Sequence, residues 1–150
     1  MSPAATVSRA IHATAVIARL PGAERRATVR LIALGALVEV LLRTWPLPRV
    51  ARLLGVRFTE ADAHAHAVAP LVLTERDRCH LRCVRRIARH WRFSEGACLR
   101  ASLLAGHVLR RHHPRLVIGV SRDQGAFAAH AWLDVQGRII GDRGMFQRLA

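Results

Sequence analysis

The sequence predicts an α+β protein: a helical N-terminal region, then a further helical stretch leading into an antiparallel three-stranded sheet. Three observations carry this. Apolar residues recur at helical spacing up to Pro114, and the period changes to two after it. Between the helical segments lies RFTEADAHAHAVAP, residues 57 to 70, which mixes small and polar residues and ends in proline, as a connector does.

Residues 23 to 43, AERRATVRLIALGALVEVLLR, are strong helix formers, and the helix is expected to stop before Trp45-Pro46-Leu47-Pro48. RVARLLGV adds a shorter amphipathic helix. The connector at 57 to 70 then divides a helical region, 1–70, from a core at 71–150. From Leu71 to about Trp91, Leu73, Cys79, Val84 and Ile87 mark a helix whose outer side is crowded with arginine. Ser94 is a fair N-cap, with Glu95 in the first turn, for a helix that carries Leu99, Leu103 and Leu109 and opens close to Cys98. LVIGVS (116–121), FAAHAWLDV (127–135) and RIIGD (138–142) alternate as three strands of a meander.

The chain has 150 residues, the size of one domain, and 51% of them are hydrophobic, which argues for a packed core rather than disorder. Basic residues number 24 against 10 acidic, and all are arginine. Such a surface attracts nucleic acid, anionic lipid or an acidic peptide, or is simply a solvated face. The lack of lysine excludes Schiff-base chemistry and a Walker-type phosphate loop. Cys79, Cys83 and Cys98 leave an odd count, which speaks against a disulfide framework. The first residues are broken by Arg9, His12 and Arg19 and do not read as a secretory signal. LIALGALVEVLL, 12 residues containing Glu39, is too short to span a bilayer, so a cytoplasmic location is expected.

Chemistry concentrates in the last third. His130 sits in an otherwise apolar alternating strand, where it is either a hydrogen-bonded interior residue or a working imidazole. A three-residue loop of Val135, Gln136 and a left-handed Gly137 would pair Asp134 with Arg138 and, counting outward, His130 with Asp142 on one face. A two-residue loop of Gln136 and Gly137 would put them on opposite faces. Cys98, in the first turn of a helix, has its thiolate stabilised by the helix dipole, although a cysteine there also serves as a small apolar filler. Cys98, His130 and Asp142 therefore read as a Cys-His-Asp nucleophilic triad. Trp132 shares the side of His130 and either floors a substrate cleft or packs. Cys79 and Cys83 lack the tight paired spacing of a closed zinc site, and neither a metal nor a cofactor is expected.

The run CLRASLLAGHVLRRHHPRLVIGVSRDQGAFAAHAWLDVQGRIIGD, Cys98 to Asp142, resembles the transglutaminase-like cysteine peptidases that remove the leader from lasso-peptide precursors. In that family a cysteine opens a helix of the type C-L-x-R/A-S/A-L, a strand of the type LVIGV follows, a histidine lies in F-x-A-H-A-W, and an aspartate comes shortly after. Cys98, His130 and Asp142 occupy those places. AERRATVRLIALGALVEVLLRTWPLPRVARLLG is similar to the helical region preceding the family's core. The resemblance implies a papain/transglutaminase-like core and a hydrolase that acts on a precursor peptide during maturation of a ribosomally made product. Some members carry a fused leader-recognition domain for which this length leaves no room, so the split form is implied. A separate leader-binding protein and the macrolactam-forming cyclase are the partners that follow, with no nucleic acid. Two rivals remain: an arginine-rich binding module for nucleic acid or an acidic protein, and an enzyme that passes the acyl group to an amine.

Overall fold

A computed structural model describes residues 18, 20–60, 71–90, 97–123 and 126–140. The first helix, α1 (Gly22–Thr44), follows Pro21 and carries Glu24 in its first turn, where a carboxylate complements the helix dipole. Its buried residues Ala27, Leu31, Gly35 and Val38 recur every three or four positions and define the face turned to the core. Trp45, held extended by the proline that follows it, ends the helix and donates its N–H to Leu41 O at 2.8 Å. Helix α2 (Leu47–Leu53) starts directly after Pro46.

Strand β1 (Arg57–Glu60) lies inside what the sequence presents as a connector. It pairs in parallel with β2 (Arg115–Asp123), Arg57 opposite Arg115 and Phe58 opposite Leu116. The sheet is therefore four-stranded and mixed, in the order β1-β2-β3-β4, with β3 (Ala126–Val135) and β4 (Arg138–Ile140) completing the expected antiparallel meander. Four residues on a sheet edge gain their stability from a neighbour distant in sequence, so their own composition barely announces them.

Helices α3 (Glu75–His90) and α4 (Ala97–Val108) fill the crossover between β1 and β2. Helix α3 is opened by a reciprocal cap. Asp77 N–H donates to Thr74 Oγ1 at 3.1 Å, while Thr74 N–H and its hydroxyl donate to Asp77 Oδ2 at 3.1 and 2.7 Å. One cluster of buried side chains joins Val38 of α1, Val50 of α2, Val84 of α3, and Leu103, Leu104 and Leu109 on or just past α4 to Leu116, Leu133 and Val135 of the sheet. It draws on residues from both sides of position 70. The result is α+β, a layer of helices on a small mixed sheet. No helix among the described residues is long and apolar enough to cross a membrane.

Candidate active site between the fourth helix and the third strand

Cys98 is the second residue of α4, in the first turn, half-buried and packed against the edge of the core. Two contacts fix where that turn sits. Arg100 forks onto Glu39 of α1, with Nε donating to Oε2 and Nη2 to Oε1 at 3.1 Å. Those Arg100 hydrogen bonds hold the Glu39 carboxyl below its usual range, against an opposing effect of burial, with the charges of Arg100 and Arg43 adding to the shift. Ser102, buried, donates its hydroxyl to the main-chain carbonyl of Ala131 at 3.1 Å.

One turn further on, Gly106 faces Leu133: a Cβ built there would stand 3.3 Å from Leu133 Cδ2 and 2.5 Å from Val56 Cγ2. Helix and strand therefore advance together, Ser102 beside Ala131 and Gly106 beside Leu133. Cys98 stands one helical turn, about 6 Å, before Ser102 along α4.

His130 is exposed and stands opposite Gly119 of β2. Its neighbours Ala131, Leu133 and Val135 are buried under the helices. Alternation along the strand then places the imidazole, with Trp132, on the face away from α4. No hydrogen bond joins Cys98 to His130 among the described residues.

Their elements nevertheless meet. Val135 and Arg138 flank a two-residue loop and exchange both backbone hydrogen bonds, which turns the polar groups of Val135, Leu133 and Ala131 toward β4. The described part of β4 ends at Ile140, opposite Leu133, so the Ala131 carbonyl lies past it, and there Ser102 reaches it. The helix that opens on Cys98 therefore meets β3 at the residue next to His130.

The hairpin corrects the expected register. Gln136 and Gly137 both have positive φ, 56° and 80°, as in a type I′ turn, and Asp134 pairs with Ile139 rather than Arg138. Asp134 Oδ1 instead accepts the Gly137 N–H at 2.8 Å and ties the turn down. The pairing through which His130 was to face Asp142 is thus not the one formed. Asp142 itself lies outside the described residues, as do Ser94 and Glu95.

Trp132 is half-buried and lies diagonally over β2: a Cβ on Gly119 would be 2.4 Å from its Cη2 and 2.8 Å from its Cζ3. Sequence reading passed over Ser102, Glu39 and Gly119, because only spatial neighbours distinguish them. The remaining cysteines are elsewhere. Cys79 and Cys83 turn toward Glu24, the first thiol to its carboxylate at 4.0 Å and the second to its main-chain oxygen at 3.9 Å. Burial pushes the Cys79 thiol up, and the neighbouring Cys83 and Glu24 add to the shift, the opposite of what a nucleophile needs. The arginine side of α3 is partly answered by acids: Arg78 and Arg82 by Glu75, Arg82 and Arg86 by Glu24.

A helix that opens on a cysteine is thus packed on a small sheet that bears a histidine. The profile of the transglutaminase-like superfamily matches residues 34–150, and the chain belongs to that superfamily. Its members are commonly cysteine-protease-like enzymes. No curated protein and no solved structure is significantly similar to the chain.

Proposed function

We propose that the protein is a cysteine peptidase that removes the leader from a ribosomally made precursor during lasso-peptide maturation, with a separate leader-binding protein and the macrolactam-forming cyclase as partners. The observation that carries the reading is Cys98 in the first turn of α4, the helix that Ser102 ties to Ala131, next to His130 in β3. Membership of the transglutaminase-like superfamily supports a cysteine nucleophile, and the motif from Cys98 to Asp142 supports the substrate class.

In the proposed reaction the imidazole of His130 takes the Cys98 proton, and the thiolate attacks the scissile carbonyl. The C–N bond breaks as the same imidazole protonates the leaving amine. Water then splits the thioester, and the new carboxyl terminus leaves with the leader. The Cys98 main-chain N–H, one of the first four of α4 that find no acceptor within the helix, serves the oxyanion in this scheme. Asp142 orients the imidazole in this scheme, through a route other than the cross-strand pair excluded above.

The test incubates the protein with a precursor and its leader-binding partner and weighs the products. Hydrolysis adds one water across the cut bond; transfer to an added amine would give the amide mass and move the assignment to acyl transfer. Cys98→Ala and prior alkylation should each abolish cleavage with the fold retained. Cleavage by Cys98→Ser at the wild-type rate would sink the proposal.

A further inference from the structure

Gly119 is the glycine of β2, and a side chain there would collide with the aromatic ring of Trp132. The bulky edge of the Trp132 indole occupies the volume that any side chain at 119 would fill, with Cη2 at 2.4 Å and Cζ3 at 2.8 Å from the added Cβ. Gly119 is also the direct cross-strand partner of His130. Paired residues of this kind have α carbons about 5.5 Å apart, so the indole edge stands against the β2 side of the imidazole.

The other side of His130 is the β4 side of β3, on which Ser102 of α4 meets the carbonyl of the adjacent Ala131. The nearest described charged groups on the same face are Arg115 and Asp134, a mutual pair beyond Trp132 along the strand, with Asp134 engaged by Gly137.

We propose that Gly119 and Trp132 are positioning residues: the glycine seats the indole across β2, and the indole backs His130 on its β2 side so that its imidazole is directed toward the β4 side of the strand, where Ser102 ties in the helix that carries Cys98. This rests on the peptidase reading above.

The probe is iodoacetamide, with alkylation of Cys98 followed by mass spectrometry of its peptide across ~pH 5–9, so that Cys79 and Cys83 do not contribute. His130→Ala removes the base and sets the floor. Gly119→Ala displaces the ring, and Trp132→Leu removes it without needing room at 119; folding is checked by circular dichroism and the thermal midpoint.

Near pH 6 His130→Ala is expected to slow Cys98 alkylation by about tenfold or more, since it removes the base that takes the thiol proton. Gly119→Ala and Trp132→Leu should fall most of the way to that floor, and the double variant no further than the lower single one, because both act through one ring. A folded Gly119→Ala with the wild-type profile would overturn the proposal, as would independent, multiplying losses in the double variant. If Gly119→Ala does not fold, a wild-type profile in Trp132→Leu overturns it equally. A wild-type profile in His130→Ala would refute the Cys98–His130 pairing itself, which separates that failure from failure of the positioning role.

Discussion

Gly106 and Gly119 stand on opposite faces of the same sheet, and both leave out a side chain for which there is no room. At Gly106 the space is taken by Val56 and Leu133, which belong to the buried core; at Gly119 it is taken by the half-buried indole beside an exposed histidine. The first close approach lets α4 lie against the sheet and buries apolar surface. The second buries little and shapes the surroundings of one imidazole. On the positioning proposal the same sequence device serves stability on the face under the helices and chemistry on the other, and the two should separate under mutation.

The largest effect on stability is expected at the covered face. Gly106→Ala puts a methyl 2.5 Å from Val56 Cγ2, so α4 or the Val56 segment must shift. Overpacking of this kind costs about 1–3 kcal/mol, and the better helix propensity of alanine returns ~1 kcal/mol at most. Denaturant melts should show the loss, and Val56→Ala in the same background should recover part of it. Equal losses at Gly106→Ala and Gly119→Ala would erase the contrast between the faces.

A smaller effect is expected where α4 is tied to α1. Glu39→Gln leaves the mostly buried Arg100 guanidinium without its carboxylate, and hydrogen bonds to charged groups contribute ~1.5–3 kcal/mol each. Because part of the pair reaches solvent, the low end, about 1.5 kcal/mol, is expected. The pH dependence has a definite sign. The Glu39 carboxyl is lowered in the folded protein, so its contribution is complete above the ordinary glutamate pKa of ~4.3 and is lost as pH falls through the lower folded value. Acid denaturation of Glu39→Gln should therefore be shallower than that of wild type in that window. Parallel acid limbs in the two proteins would show that the fork contributes nothing.

How far the sequence reveals each face follows from what encodes it. The helices were legible because their apolar spacing is local, as in Ala27, Leu31 and Val38, and the strands β2 and β3 because alternation separates His130 and Trp132 from Ala131 and Leu133. Strand β1 was not, since its partner Arg115 is far away in the chain and its four residues carry no pattern of their own. The hairpin register failed for a specific reason. A type I′ turn asks for positive φ at both central positions, which Asn or Asp takes readily and Gln does not, so a loop with only Gly137 left-handed looked better. The Asp134 carboxylate, accepting the Gly137 N–H, supports the tighter turn, and that compensation lies in a side chain assigned to another partner. The seat of Trp132 on Gly119 was invisible because it depends on register and on ring direction together.

The smallest effect belongs to the start of α3, remote from both faces. Thr74 accepts the Asp77 N–H and donates to its carboxylate, and substitution of such a cap by alanine costs about 1 kcal/mol. The Asp77 carboxyl is lowered despite burial, which acts the other way, because the Thr74 hydroxyl and N–H, and then His112, favour its charged form. Thr74→Ala should therefore lower the melting temperature slightly and raise the Asp77 pKa toward the ordinary aspartate value, which carboxyl NMR can follow. Its stability loss should also shrink as Asp77 is protonated, since the neutral carboxyl is the poorer acceptor for the hydroxyl. Cys98 alkylation should stay at the wild-type rate, because this cap touches neither α4 nor β3. A fall in Cys98 reactivity in Thr74→Ala would mean that the helix layer transmits its stability to the nucleophile, and the division of labour between the two faces would no longer hold.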